Sequence, residues 1–374
     1  MLLRDSAEIQ MEDIQYKQRR HRKEKRVSPF PYEPLYTVDD VDRTLALLRP
    51  VEYLQPVEIA DGIQATFHDA GHILGSAMIE IEATEAGVTR HIVFSGDIGQ
   101  WDKPLIHDPT LLERADYLVM ESTYGDRDHE KHGDLEVQFE TIVNETHARG
   151  GNVVIPTFAV ERAQELMYYF SRLVHAQRIP RMSVFLDSPM AVDVTEIFRD
   201  FRDFLDAETF AMINAHTPPL RFPGLEMVRS ANESKAINGV KQPSIIMASS
   251  GMCTAGRIKH HLRNNIERPE STILFVGYQG DGTLGRQILD GNRRVRIHGR
   301  EFTVRARIAQ IYGFSGHADR SGLLRWLANF KLPIKQVFFT HGEEKVSLKL
   351  ADHVQRELKI PTLVPQYQQV VELR

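Results

Sequence analysis

The chain of 374 residues has a single cysteine, Cys253, which excludes an internal disulfide framework and a cysteine-built zinc site. It has no run near the ~18 apolar residues that a membrane span needs. Its first residues, MLLRDSAEIQ, lack the basic stretch followed by an apolar core that marks a secretory signal, so a cytoplasmic setting is expected. Positive charge is not in excess: the net charge is -5, so a nucleic-acid surface would have to be local. Internal repeats, low-complexity tracts and flexible linkers are also missing. What remains is an ordinary globular composition, 42% hydrophobic and 26% charged, long enough to predict two domains. Sixteen histidines leave ample imidazole for a metal site.

Taken in order, Asp5 followed by Glu8 predicts a capped helix start. That helix runs into KQRRHRKEKR, Lys17 to Arg26, where seven of ten residues are Lys or Arg. A solvated helix end is the plain reading, and contact with phosphate backbones the sharper one. Thr37 with Asp40 predicts the cap of a short helix carrying Val41, Leu45 and Leu48. From Val57 the hydrophobic period becomes two, with Asp61-Gly62 as a hairpin signal, so the first quarter reads as antiparallel β. From about Asp134 strands alternate with helices: Val153–Ile155, Val184–Leu186, Ile245–Ala248 and Ile273–Val276 each lead into a loop of small residues. That rhythm predicts a parallel sheet with crossover helices, set within a flanking β-rich fold.

Several apolar strands stop on residues able to bind metal or move protons. Ile92-Val93-Phe94 runs into the Gly-flanked Asp97, Tyr117–Met120 ends on Glu121, and Val337–Phe339 ends on Thr340-His341. His72 and His317 stand in Gly-bracketed loops. Any one of them could be structural. Together, imidazoles and carboxylates suit zinc, or manganese where water and carboxylate dominate. Such an ion makes hydroxide from water near neutral pH and polarises a phosphoryl oxygen.

Seven segments, DAGHILGSA (69–77), FSGDIG (94–99), ESTYGDR (121–127), PTFAVERAQEL (156–166), SSGMCTAGR (249–257), GFSGHADR (313–320) and FTHGE (339–343), stand in the order in which their counterparts stand in metallo-β-lactamase/β-CASP ribonucleases. The chain resembles that family over nearly its whole length. The resemblance implies an α/β fold: a metallo-β-lactamase αββα sandwich, incomplete at its N-terminus, with an inserted β-CASP parallel α/β domain. The division would be 1–125, 126–305 and 306–374, the last part carrying motifs B and C.

The resemblance also implies the roles. His72 and His341 would be metal ligands and Asp97 a bridge between two zinc ions, with Mn2+ the less favoured metal. Glu121 and His317 would pair as general acid. Ser249, Ser250, Gly251 and Ser315 would hold phosphate. The substrate would be single-stranded RNA, cut by a metal-bound hydroxide in RNA processing or decay, by endonuclease or 5′ exonuclease action, and a homodimer is plausible.

The family's HxHxDH signature, which supplies four further ligands, is absent from these 374 residues. His68-x3-His72, His129–His132 and His260-His261 lack its spacing, and the segment around His129 and His132 reads as a solvated loop. The expectation is a chain that starts after the family's first strands, which would expose a sheet edge. A non-catalytic RNA-binding or scaffold subunit of the same fold is the alternative. A small-molecule hydrolase of the metallo-β-lactamase fold fits less well, because a β-CASP domain makes a cleft suited to a nucleic-acid strand.

Overall fold

The computed structural model describes residues 1–129, 133–331 and 333–373, so His132 lies outside the described residues. Met1–Glu52 and Tyr53–Arg374 are two separate compact units. In the first, a helix spans Leu2–Glu24. It starts three residues before the expected Asp5, with no side-chain cap. Asp5 instead lies in the first turn, where its charge faces the positive end of the helix dipole. The stretch from Lys17 to Arg26 is almost wholly exposed. The second helix, Val38–Leu45, has the expected capping box: the Thr37 hydroxyl accepts from the Asp40 amide, and the Asp40 carboxylate from the Thr37 amide. Leu48 lies beyond that helix and is exposed.

The larger unit begins with antiparallel hairpins. Strands β1 (Val57–Ala60), β2 (Ile63–Asp69), β3 (Ala77–Glu85) and β4 (Val88–Phe94) pair in sequence order. Strand β5 (Tyr117–Glu121) then lies parallel to β4. From there the chain leaves to build a second sheet from β6 (Val153–Pro156), β7 (Val184–Asp187), β8 (Leu225–Met227), β9 (Ile245–Ala248) and β10 (Thr272–Phe275). A small hairpin follows, β11 (Arg294–Ile297) with β12 (Arg300–Thr303), before β13 (Arg307–Gln310) completes that sheet. The chain returns as β14 (Gln336–Thr340), parallel to β5, with β15 (Thr362–Leu363) at its edge. The result is a seven-stranded mixed sheet, β1-β2-β3-β4-β5-β14-β15, and a six-stranded sheet, β13-β10-β6-β9-β7-β8, in which every pairing is parallel.

The inserted sheet is covered on both faces, which is why its strands are continuous apolar runs. Ile155, Leu186 and Met247 pack against Phe139, Leu166 and Phe170 on one side. Val154, Phe185 and Ile246 pack against Ile258 and Leu262 on the other. Strand β13 starts just past the expected boundary at residue 305 and pairs with β10. The mixed sheet buries one face, Met78, Val93, Leu118, Met120 and Phe339, against Leu323, Trp326 and Leu350 of the helices Arg320–Leu327 and Glu344–His353. Its other face is more open, with Phe94 exposed and Ile79, Ile81 and Ile92 half-buried. Among the described residues, only one of the two sheets expected of the sandwich is formed.

Candidate active site

Because β4, β5 and β14 are parallel, the segments following them emerge at one edge, the carboxyl ends of the strands, where α/β proteins place ligands. The register sets Glu121 opposite Thr340, so His341 follows beside it. Asp97 leaves the end of β4, and His72 comes from the turn between β2 and β3. His317 arrives from the loop after the inserted sheet, held by a bridge to Gly99. These loops touch only because their close points are glycines. A Cβ on Gly99 would lie 1.6 Å from the Gly71 carbonyl oxygen, and one on Gly316 would lie 2.7 Å from the His72 ring.

Two arrangements result. In the first, the Glu121 carboxylate is fully buried and takes the Ile98 amide at 2.5 Å and the His317 Nδ1 at 3.1 Å. Burial opposes charge on the His317 ring. The hydrogen bond from Glu121, with the charges of Glu121 and Asp97, outweighs it and holds the imidazole pKa above its ordinary value. In the second, Asp97 stands between two histidines. One carboxylate oxygen is 3.8 Å from His72 Nε2, and the other is 3.0 Å from His341 Nδ1. His341 is well exposed and its backbone is left-handed, φ 51°, a costly conformation for a residue other than glycine. The Thr123 hydroxyl donates to its carbonyl at 2.9 Å. Burial and the nearby His317 lower the His72 pKa, and its Nδ1 is buried without a partner among the described residues.

The donor types around Asp97 suit a zinc-class ion, and the His72 nitrogen that faces Asp97 is Nε2, while the orphaned Nδ1 lies against Gly316. The number falls short. Asp97 with His72 makes one pair and Asp97 with His341 the other, against the three protein ligands a catalytic zinc keeps. His317 makes a group of three with His72 and Asp97, and another with Glu121 and His341, so one ion would be held only by taking the ring nitrogen that proton transfer needs. The described residues do not complete the shells of two metal ions. What they offer by themselves is proton transfer at His317.

The expected phosphate-holding residues divide. Ser315 lines both cavities beside His317, and its hydroxyl accepts from the His317 amide at 3.2 Å. Ser249, Ser250 and Gly251 follow β9 and reach the cleft only through Phe158, whose ring leaves no room for a Cβ on Gly251. The Ser250 hydroxyl is occupied within its own loop, accepting from the Thr254 and Ala255 amides.

Sequence reasoning missed His129, which is not solvated as expected. Its ring donates to the His317 carbonyl at 3.0 Å, its amide donates to Asp319, and Tyr124 packs edge-on against it. His68 and His261 do have structural roles, on Glu80 and on the buried Asp187.

A buried ionic cluster was also missed. Lys103 donates to Glu165 at 2.8 Å and to the Gly313 carbonyl at 2.9 Å, while Arg162 pairs with Glu165. Beside them Glu161, at φ 62°, accepts from the Leu74 amide at 3.2 Å, two residues past His72. Burial and the charge of Glu165 raise its carboxyl pKa to about 8. The PTFAVERAQEL segment signalled its presence, but not that its acids and bases would meet Lys103 from the other sheet.

Comparison with known proteins finds two domain matches in this chain. Residues 163–288 match the Beta-Casp domain and residues 301–365 the Zn-dependent metallo-hydrolase RNA specificity domain. A ribonuclease of Thermus thermophilus is 39% identical over 318 residues, 85% of this chain and 71% of that protein. The transcription termination factor FttA of Methanosarcina mazei is 32% identical over 86% of this chain, which spans 52% of the factor. An RNase J-like protein of Methanocaldococcus jannaschii is 29% identical over 88% of the chain and 76% of its own length. The fold is that of a mixed α/β protein with an inserted β-CASP domain. The chain belongs to the metallo-β-lactamase/β-CASP ribonuclease family, a family of metal-dependent RNA-processing enzymes.

Proposed function

We propose that this chain holds single-stranded RNA in the cleft beside His317 and supplies the proton-transfer half of a ribonuclease site. The Glu121–His317 hydrogen bond carries the reading. A buried carboxylate fixes one ring nitrogen, orients the imidazole and favours its charged form. The ring lines the cleft, where it can protonate the oxygen that leaves phosphorus. Ser315, which lines the cleft, holds the phosphate. His72, Asp97 and His341 are the side chains that would hold a zinc-class ion, which would supply an activated water when bound. Whether cleavage is internal or from the 5′ end, a homodimeric state, a cytoplasmic setting and the division 1–125, 126–305 and 306–374 belong to the same proposal. Among the described residues, no helix is long and apolar enough to cross a membrane.

Histidine footprinting tests this reading without requiring activity. A single-stranded RNA oligomer should protect His317 and His72 from diethyl pyrocarbonate, read by mass spectrometry, while His147 and His298, which line neither cavity at His317, stay reactive. Unprotected His317 at saturating RNA would sink it.

A further inference from the structure

A second cavity of about 720 Å³ lies wholly within the inserted domain and shares no lining residue with the cavities at His317. Helix Pro189–Asp200, helix Ala207–Asn214 and the segment leading into β8 build it. Its walls are apolar, with Phe198, Leu205, Leu220 and Phe222 buried and Ile213 beside them. Arg199, Arg202, Arg221, His175 and His216 also line it, and no carboxylate does. Burial and then the charge of Arg221 lower the Arg199 pKa, Arg202 adds to this, and Glu196 partly offsets it. Glu196 itself is paired with Arg229 at 2.7 Å.

Arg202 and Arg221 are exposed and Arg199 is half-buried, so their guanidinium groups are open to a ligand arriving from solvent. Arg199 donates to the Leu220 carbonyl at 2.7 Å and Arg202 to the Arg199 carbonyl at 2.9 Å, leaving most of their N–H groups unused. The Arg221 guanidinium has no hydrogen-bond partner among the described residues. Thr209, completely buried, also lines the cavity, and its hydroxyl is unpartnered. A buried hydroxyl with no partner is costly, and a cluster of planar donors matches phosphate geometry.

We propose that this cavity is a nucleotide-binding site, distinct from the cleft at His317. The apolar walls take the base, the arginine cluster takes the phosphate, and Thr209 supplies a polar contact at the wall. The chemistry is a phosphate ester on a flat apolar body, supplied either by a free mononucleotide or by one nucleotide of an RNA strand.

Isothermal titration of the 374-residue chain with adenosine 5′-monophosphate, adenosine and inorganic phosphate separately provides the test. The monophosphate should bind at least tenfold more tightly than either part alone. Arg221→Gln should weaken it severalfold and Arg202→Gln with Arg221→Gln at least tenfold. Because the Arg221 side chain makes no hydrogen bond in the fold, its loss should leave the melting temperature unchanged. Competition by a single-stranded hexanucleotide that is lost in the double variant supports the site with RNA as the source, and no competition supports a free nucleotide. No binding at millimolar monophosphate, adenosine binding as tightly, or unchanged binding by the double variant overturns the proposal. Each result is separable from the histidine footprint at His317.

Discussion

The Glu121–His317 pair and the Asp97 cluster sit at the same strand ends but are held in opposite ways. Glu121 is fully buried, and fixed donors surround it. Asp97 is partly open, and the residues facing it are two histidines, one of them exposed and in a strained backbone. The first arrangement is complete within the protein. The second is a set of metal-type donors turned toward one another across Asp97. A site can therefore keep its proton-transfer geometry whatever the state of its metal positions, because the carboxylate that orients the acid is anchored by the Ile98 amide.

The largest expected effect follows directly. Glu121→Ala strands a buried amide and an imidazole and should cost about 2–3 kcal/mol of stability. Asp97→Ala should cost under about 1 kcal/mol, since an exposed pair contributes little. Urea unfolding of both variants measures the contrast, and equal costs would remove it.

Next comes Glu161, a half-buried acid that touches the His72 loop. Below about pH 8 it keeps its proton in the folded chain, whereas the unfolded chain loses it in the ordinary carboxylate range. The folded state thus binds more protons in that window, so stability should fall as pH rises toward 8, by up to about 1.4 kcal/mol per unit. Glu161→Gln should flatten this slope between pH 5 and about 8 in thermal melts, and an unaltered slope would show that other groups set it.

Elemental analysis after dialysis in metal-free buffer sharpens the other side of the comparison. With two donors per position, the chain should retain less than one zinc ion, and Asp97→Asn should remove what is left. Near two ions per chain would mean that residues outside the Asp97 cluster complete the shells. The smallest effect is on the exposed stretch from Lys17 to Arg26. If it binds RNA, replacing Arg19, Arg20 and Arg22 with Gln should reduce the slope of log affinity against log salt by roughly 0.7 for each phosphate no longer neutralised. An unaltered slope would leave the stretch as solvated surface.

Much of this was legible in the sequence because it depends on local pattern. Continuous apolar runs such as Ile245–Ala248 foretold strands buried on both faces, and Thr37 with Asp40 foretold a capping box that formed. The residues at the strand ends were legible for the same reason, since a polar residue after an apolar strand has few other places to go. Asp5 was misplaced because helix boundaries depend on weak, competing caps. His129 was misread because its polar neighbours suggest solvent, and only the path of residues 317–319 gives it partners.

The family, the parallel inserted sheet, the five candidate residues and the absence of HxHxDH from these 374 residues are all written in the order of the amino acids. The folded chain was needed to show which of those residues share a hydrogen bond, that Asp97 faces a histidine on each side, and that Arg199, Arg202 and Arg221 line one cavity. Strand and helix periodicity acts over a few residues, so it can be read locally. The pairing of Glu121 with His317, 196 positions apart, depends on β5 and β14 closing side by side after a whole domain has folded between them.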